Sequence, residues 1–179
     1  MNPPSLSSKS NRKMPKSLMW GCFMGNALEW FDFAIYGCLA SVLGELFFPM
    51  FDPYTALLSS YGVFAAAFIM RPIGAVLIGH FGDKIGRKKA FLWSLVGMAI
   101  PTAVMGLLPV YEQIGVYAPL LLILCRMVQG FSIGGEFSGS IILLTEHAPP
   151  HRKSFFSIWA DMGSSIGMIV ASGVILLLN

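Results

Sequence analysis

Charge is what this sequence has least of. Only 12% of its 179 residues are charged and 55% are hydrophobic, whereas soluble globular domains average about 25% charged. That scarcity excludes an ordinary soluble domain and points to a membrane protein. The formal charge of +3 does not indicate a nucleic-acid partner, because the bases group at the ends of apolar runs and form no groove-facing stripe. Cysteine is also scarce. Cys22, Cys38 and Cys125 fall inside apolar runs, with no CxxC pair and no even number, which excludes a disulfide framework. Cys22 and Cys38 lie sixteen residues apart on one predicted helix, roughly 24 Å along its axis, too far to bridge. All three read as small buried hydrophobes. No GxSxG, HExxH, P-loop or Rossmann pattern stands in a suitable context, so an enzyme is not expected. His147 and His151 are four apart, but the Ala-Pro-Pro between them breaks any helix that would bring both imidazoles to one face. No metal site is expected there.

What the chain has in abundance is long apolar sequence. Residues 1–17 are rich in Ser, Pro and base without apolar periodicity, and read as a disordered cytoplasmic tail. A secretory signal is the alternative; against it, the apolar run that follows exceeds the usual ~7–15 residues of a signal core, with no small-residue cleavage site, so a retained helix is expected. Beyond the tail, residues 18–179 divide into five predicted spans at about 18–48, 54–81, 89–108, 119–145 and 156–178, each reaching the roughly 20 residues that a crossing needs. The first exceeds that length and is expected to tilt, or to project beyond the bilayer near Gly44–Pro49. The segment Gly79–Lys89, GHFGDKIGRKK, is too polar to lie in lipid and is expected to form a tight hairpin between the second and third spans.

The distribution of bases sets an orientation. Lys9, Arg12, Lys13 and Lys16 lie in the tail, Lys84, Arg87, Lys88 and Lys89 in the second connection, and Arg152 and Lys153 in the fourth. The first and third connections contain no Lys or Arg. The positive-inside rule therefore places the N-terminus in the cytoplasm, and five crossings place Asn179 outside.

A few charges remain within the spans: Glu29, Asp32, Arg71, Arg126 and Glu136, with Asp161 near the inner end of the fifth. Each costs at least ~2.5–3.5 kcal/mol at the bilayer centre, so such groups face a polar cavity and pair with one another. Arg71 and Asp161 fit either that role or a place at the cytoplasmic interface. On the first span, Asn26, Glu29 and Phe33 follow helical spacing, as do Asp32 and Tyr36. Carboxylates in a cavity of low dielectric can load and release a proton near neutral pH; a structural ion pair to another helix is the alternative. On the fourth span, Arg126, Gln129 and Ile133 share a face. Arg126 can hold a solute carboxylate through paired hydrogen bonds, or form a salt bridge to Glu29 or Asp32. Gly130, Gly134, Gly135, Gly139 and Ser140 on this span, and Gly163, Gly167 and Ala171 on the fifth, have the small-residue spacing of closely packed membrane helices.

Several separated motifs resemble the major facilitator superfamily. Gly79, Asp83, Gly86, Arg87 and Lys88 match its hairpin motif between helices two and three. Arg126, Gln129 and Gly130 are similar to its helix-four motif, and Glu146 with Arg152 to the acid and base that follow. GNALEWFDF (Gly25–Phe33), RPIGAVLIGHFGDKIGRKK (Arg71–Lys89) and QGFSIGGEFSG (Gln129–Gly139) resemble the metabolite:proton symporter family, and the connection LPVYEQIGVYAP resembles its proline/betaine branch. Gly163–Gly167 lacks the proline of the helix-five motif of drug antiporters. The resemblance implies an all-α membrane protein made of five helices of a six-helix N-terminal half, stopping before helix six, in the bacterial inner membrane. It implies proton-coupled symport of a proline or glycine betaine type osmolyte. Symport of a carboxylate metabolite such as α-ketoglutarate, citrate or shikimate, and a non-transporting fragment or subunit, are the other readings. It further implies no cofactor beyond the coupling proton, and as partners the solute, lipid and a C-terminal half on the same or another polypeptide. Glu29 and Asp32 would handle the proton. Arg126, Gln129, Glu136 and Asn26 would bind solute or pair internally. Gly79, Asp83, Gly86, Arg87 and Lys88 would form a cytoplasmic gate, with Arg71, Glu146, Arg152 and Asp161 as secondary charges.

Overall fold

Helix is the only regular structure among the described residues, 15–178 of a computed structural model. The predicted tail lies outside them except for its last three residues, and helix α1 (Lys16–Cys38) starts directly after Pro15. The first predicted span is not one rod. It bends by 65° between α1 and α2 (Ala40–Phe47), earlier than the expected exit near Gly44–Pro49. The turn is at Leu39, whose N–H still bonds Ile35 O and whose carbonyl still accepts from Leu43 N, each at 2.9 Å. The direction therefore changes without orphaning those backbone groups.

Helix α3 (Pro53–Ile85) is capped by Asp52, which accepts from the amides of Tyr54 and Thr55 at 3.2 Å, with Pro53 at the first turn where no N–H is needed. Its 33 residues span about 50 Å at 1.5 Å each, well beyond a hydrocarbon core of about 30 Å. The expected hairpin is present as a reversal at Gly86, but its first arm is longer than the span predicted to end near residue 81. Gly79–Ile85 is not a loop but the continuation of α3, and α4 (Arg87–Gly106) starts after the single non-helical residue Gly86. A helix satisfies its own backbone wherever it leaves the membrane, so polar sequence does not by itself end it. Gly86 makes the reversal at φ +96°, a backbone region that penalises any residue with a Cβ.

A one-turn helix, α5 (Tyr111–Ile114), occupies the third connection. The fourth predicted span is also divided, into α6 (Tyr117–Ile133) and α7 (Glu136–His147), with Gly134 and Gly135 between. A 3₁₀ turn at Pro150–Arg152 leads to α8 (Lys153–Leu178). By length and composition α3, α4 and α8 can each cross a membrane, and the bent pair α1–α2 is a fourth candidate; α6 is apolar but short.

The small residues set the packing. Gly163 and Gly167 of α8 lie against the backbone at Phe23 and Ala27 of α1, while Gly130 of α6 and Gly134 just after it lie against Ala67 and Arg71 of α3. Gly74 of α3 meets the Phe131 carbonyl in return. A methyl group at any of these would overlap main-chain atoms, so α1–α8 and α3–α6 are the closely seated pairs. Outward faces are apolar, with Leu58, Ile69, Val76 and Trp93 each at least 70% exposed. Exposed side chains of this kind suit a lipid solvent.

Candidate functional site

Two arginines and two acids meet where α1, α3, α4 and α6 converge. On α1, Glu29, Asp32, Phe33 and Tyr36 recur at three- and four-residue intervals and so share one side of the helix. Arg126 of α6, 3% exposed, donates through Nη1 to Asp32 Oδ2 at 2.6 Å. The same nitrogen reaches Gln129 Oε1, one turn away on α6. The Gln129 amide nitrogen donates to Asp32 Oδ2 at 2.9 Å and to the Thr102 hydroxyl of α4 at 2.8 Å. The Arg126 guanidinium lies 3.9 Å from the centre of the Tyr36 ring, close enough for a cation–π contact. The Tyr36 hydroxyl is anchored on the Ser60 carbonyl of α3 at 3.1 Å. Asp32 is therefore held by a cation and an amide, and Arg126 by a carboxylate, an amide oxygen and a ring. One donor is left over: Arg126 Nε is buried and has no acceptor.

A second pair lies beside the first. Arg71 of α3 donates to Glu29 Oε1 at 3.2 Å, with the arginine 24% and the acid 2% exposed. Its guanidinium stands 4.3 Å from the Phe33 ring and 4.5 Å from the Phe68 ring. Phe33, Tyr36, Phe64 and Phe68 form a continuous aromatic cluster beneath both arginines. Of the two places open to Arg71, the structure gives it the ion pair.

Asn26 does not join these pairs. Its amide nitrogen donates to the Ser140 hydroxyl of α7 at 3.2 Å and to the Ala160 carbonyl of α8 at 3.0 Å, tying three helices together. Glu136 is fully buried at the first turn of α7, outside the Arg126 network.

At the other end of α3, Asp83 and Arg87 form an ion pair of 2.6 Å across the Gly86 reversal, with side chains 64% and 31% exposed. Exposed pairs of this kind contribute about 0–1 kcal/mol, so this contact positions two charges more than it stabilises the fold. Gly79 is half-buried, Lys88 is exposed, and Glu146, Arg152 and Asp161 are exposed away from the buried pairs. Sequence reasoning did not single out Thr102, Ser60 or Phe68. Their partners are supplied by other helices, and no local spacing announces them.

Comparisons with known proteins give the family. Residues 19–179 match the model of the family described as sugar (and other) transporter. The chain belongs to this family, within the major facilitator superfamily. It is 43% identical over 156 residues to the glycine betaine/proline/ectoine/pipecolic acid transporter OusA of Dickeya dadantii (strain 3937), covering 87% of this chain and 31% of that protein. It is 42% identical over the same length to the proline/betaine transporter of Escherichia coli (strain K12), with the same coverage. To the shikimate transporter of that organism it is 38% identical over 160 residues, 89% of this chain and 36% of that protein. This facilitator chain thus spans about a third of the length of the curated relatives it matches. No solved structure matches it.

Proposed function

We propose that this chain supplies one wall of the solute path in a proton-coupled symporter for a small zwitterion of the proline or glycine betaine type. The observation that carries the reading is the buried Asp32–Arg126 pair with its unsatisfied Arg126 Nε. A buried guanidinium that already shares one acceptor and has a donor to spare is suited to exchange its internal carboxylate for that of a solute. Protonation of Asp32 removes the charge that holds Arg126 and leaves the guanidinium to the incoming carboxylate. Loss of that proton restores the internal pair and expels the solute. Glu29, paired with Arg71 nearby, is the second carboxylate within reach of the same path. The Asp83–Arg87 pair at the end of α3 would form part of a cytoplasmic gate, with the N-terminus on the cytoplasmic side of a bacterial inner membrane. Gly79, Gly86 and Lys88 belong to the same gate segment.

Relatives named for proline and betaine transport favour a zwitterion, and the relative named for shikimate transport makes a simple carboxylate the competing substrate. Uptake into proteoliposomes, with the chain expressed in its complete reading frame, tests this directly. Labelled proline or glycine betaine should accumulate under an inward proton gradient and not after its collapse. Accumulation of shikimate alone would replace the zwitterion, and accumulation without the gradient would refute proton coupling.

A further inference from the structure

We propose that Glu136 is a proton-binding site separate from the Asp32–Arg126 pair, and that it carries its proton in this conformation. Charge does not balance in the bundle interior. Glu29, Asp32 and Glu136 are three acids at or below 11% exposure, facing two arginines, and each arginine is already taken: Arg71 by Glu29 and Arg126 by Asp32. Glu136 is 0% exposed, and neither carboxylate oxygen has a hydrogen-bond partner. A bare carboxylate there would lack water, donor and counter-ion, at a cost of several kcal/mol.

Among the described residues no cation is hydrogen-bonded to Glu136. From α1, Gly25 leaves room for Glu136: a methyl group at residue 25 would lie 2.6 Å from Glu136 Oε1. The titratable α1 groups close enough to interact with it are Glu29 and Cys22, neither of them cationic. From α4, Phe91 and Leu95 meet the same point at Gly25. From α8, Ala160 and Ser164 are buried, while Asp161 is exposed. Across the α6–α7 break, Arg87 lines a cavity of about 30 Å³ with Gly135 and Gly139, and its guanidinium is engaged by Asp83. Among the described residues no group of three His, Cys, Asp or Glu side chains could hold a metal ion.

A proton also mends a second defect. Asn26 Oδ1 and Glu29 Oε2 are buried acceptors without a donor, on the side of α1 that α7 covers through the Asn26–Ser140 bond. A protonated Glu136 is itself a donor that such acceptors can use.

The experiment is infrared spectroscopy of the purified protein in lipid nanodiscs at neutral pH, with glutamate carboxyl carbons labelled with ¹³C. Glu29 and Glu136 are the buried glutamates among the described residues, whereas Glu45, Glu112 and Glu146 are exposed, so variants of the two buried ones assign the band. A carboxylic-acid C=O band that shifts with the label, persists in Glu29→Gln and disappears in Glu136→Gln is the expected result. The label shift on the unmodified chain needs no variant to fold. Absence of a labelled band, or its loss in Glu29→Gln with retention in Glu136→Gln, would overturn the assignment. Failure of Glu136→Gln to insert and fold would count against it too, because glutamine is the neutral isostere of the protonated acid. So would loss of the band on adding sodium, which would make the site one for a metal cation. The result is independent of solute transport, so it stands or falls separately from the symport reading.

Discussion

Replacing Arg126 by methionine and Asp32 by alanine, singly and together, measures how far the two residues act as one unit. In Arg126→Met, Asp32 loses its 2.6 Å cation and keeps the Gln129 amide; breaking a buried pair from one side costs roughly 3–5 kcal/mol. Loss of the Tyr36 ring contact at 3.9 Å adds about 0.5–2 kcal/mol. In Asp32→Ala, the guanidinium stays 3% exposed and keeps Gln129, so a similar roughly 3–5 kcal/mol is expected. Independent losses would bring the double variant to at least roughly 6–10 kcal/mol, whereas a true pair leaves no orphaned charge once both members are gone. The double variant should then cost little more than either single one, giving a coupling energy of about 3 kcal/mol. Equilibrium unfolding in mixed detergent micelles, followed by helical circular dichroism, provides the four free energies of the cycle. Ordinary interhelical hydrogen bonds in membranes couple by about 0.6 kcal/mol on average and up to ~1.7. A coupling below that upper figure would refute the claim that Arg126 and Asp32 form a desolvated ion pair.

Gly74→Ala would drive a methyl group into the Phe131 carbonyl, and Gly130→Ala one into Ala67; each should lower stability by about 1–3 kcal/mol through overpacking, while Gly62→Ala, with open space around it, should be close to neutral in the same unfolding assay. Gly86→Ala places a Cβ at φ +96° and should cost about 1–2 kcal/mol; an unchanged midpoint would mean that the reversal relaxes to another conformation. The Asp52 carboxyl is held below the usual carboxylate range by the Thr55 hydroxyl first and then by the Thr55 amide. Its contribution to the cap is therefore complete above the ordinary aspartate value of about 3.9 and is lost as pH falls through Asp52's own lower value. Hydrogen exchange at the Thr55 amide should lose protection over that acid window in the natural chain, and Asp52→Asn should remove the dependence.

The sequence showed which charges would be buried more clearly than it showed their partners. Glu29, Asp32 and Arg126 stood out because a charge deep in an apolar run has few explanations. Arg126 had two candidate acids three residues apart on α1, and only the rotation of α1 against α6 selects Asp32. Arg71 was harder still. In the half of its run nearer the polar end, it suited an interface equally well, and its assignment to Glu29 depends on α3 lying beside α1. The close faces of α6 and α8 were legible from glycine spacing, although spacing cannot say which helix they seat against. Helix breaks were the least legible feature. The Gly134–Gly135 doublet was a visible weak point in a run long enough for one span. Leu39 offers no comparable signal, since the bend leaves its backbone hydrogen bonds intact. The hairpin within Gly79–Lys89 was legible from its polarity, but that polarity, set by leaving the membrane, did not show that helix continues to Ile85.

The central claim is that protonation of Asp32 exchanges the internal carboxylate on Arg126 for that of a solute. Asparagine at position 32 mimics the protonated acid permanently, and retains an oxygen for Gln129 and Arg126. Solute counterflow and gradient-driven accumulation, measured side by side in proteoliposomes containing Asp32→Asn in the complete reading frame, separate solute binding from proton coupling. The account predicts that labelled proline or glycine betaine still exchanges across the membrane in counterflow, while accumulation driven by the proton gradient is lost. Retention of gradient-driven accumulation by Asp32→Asn would contradict it.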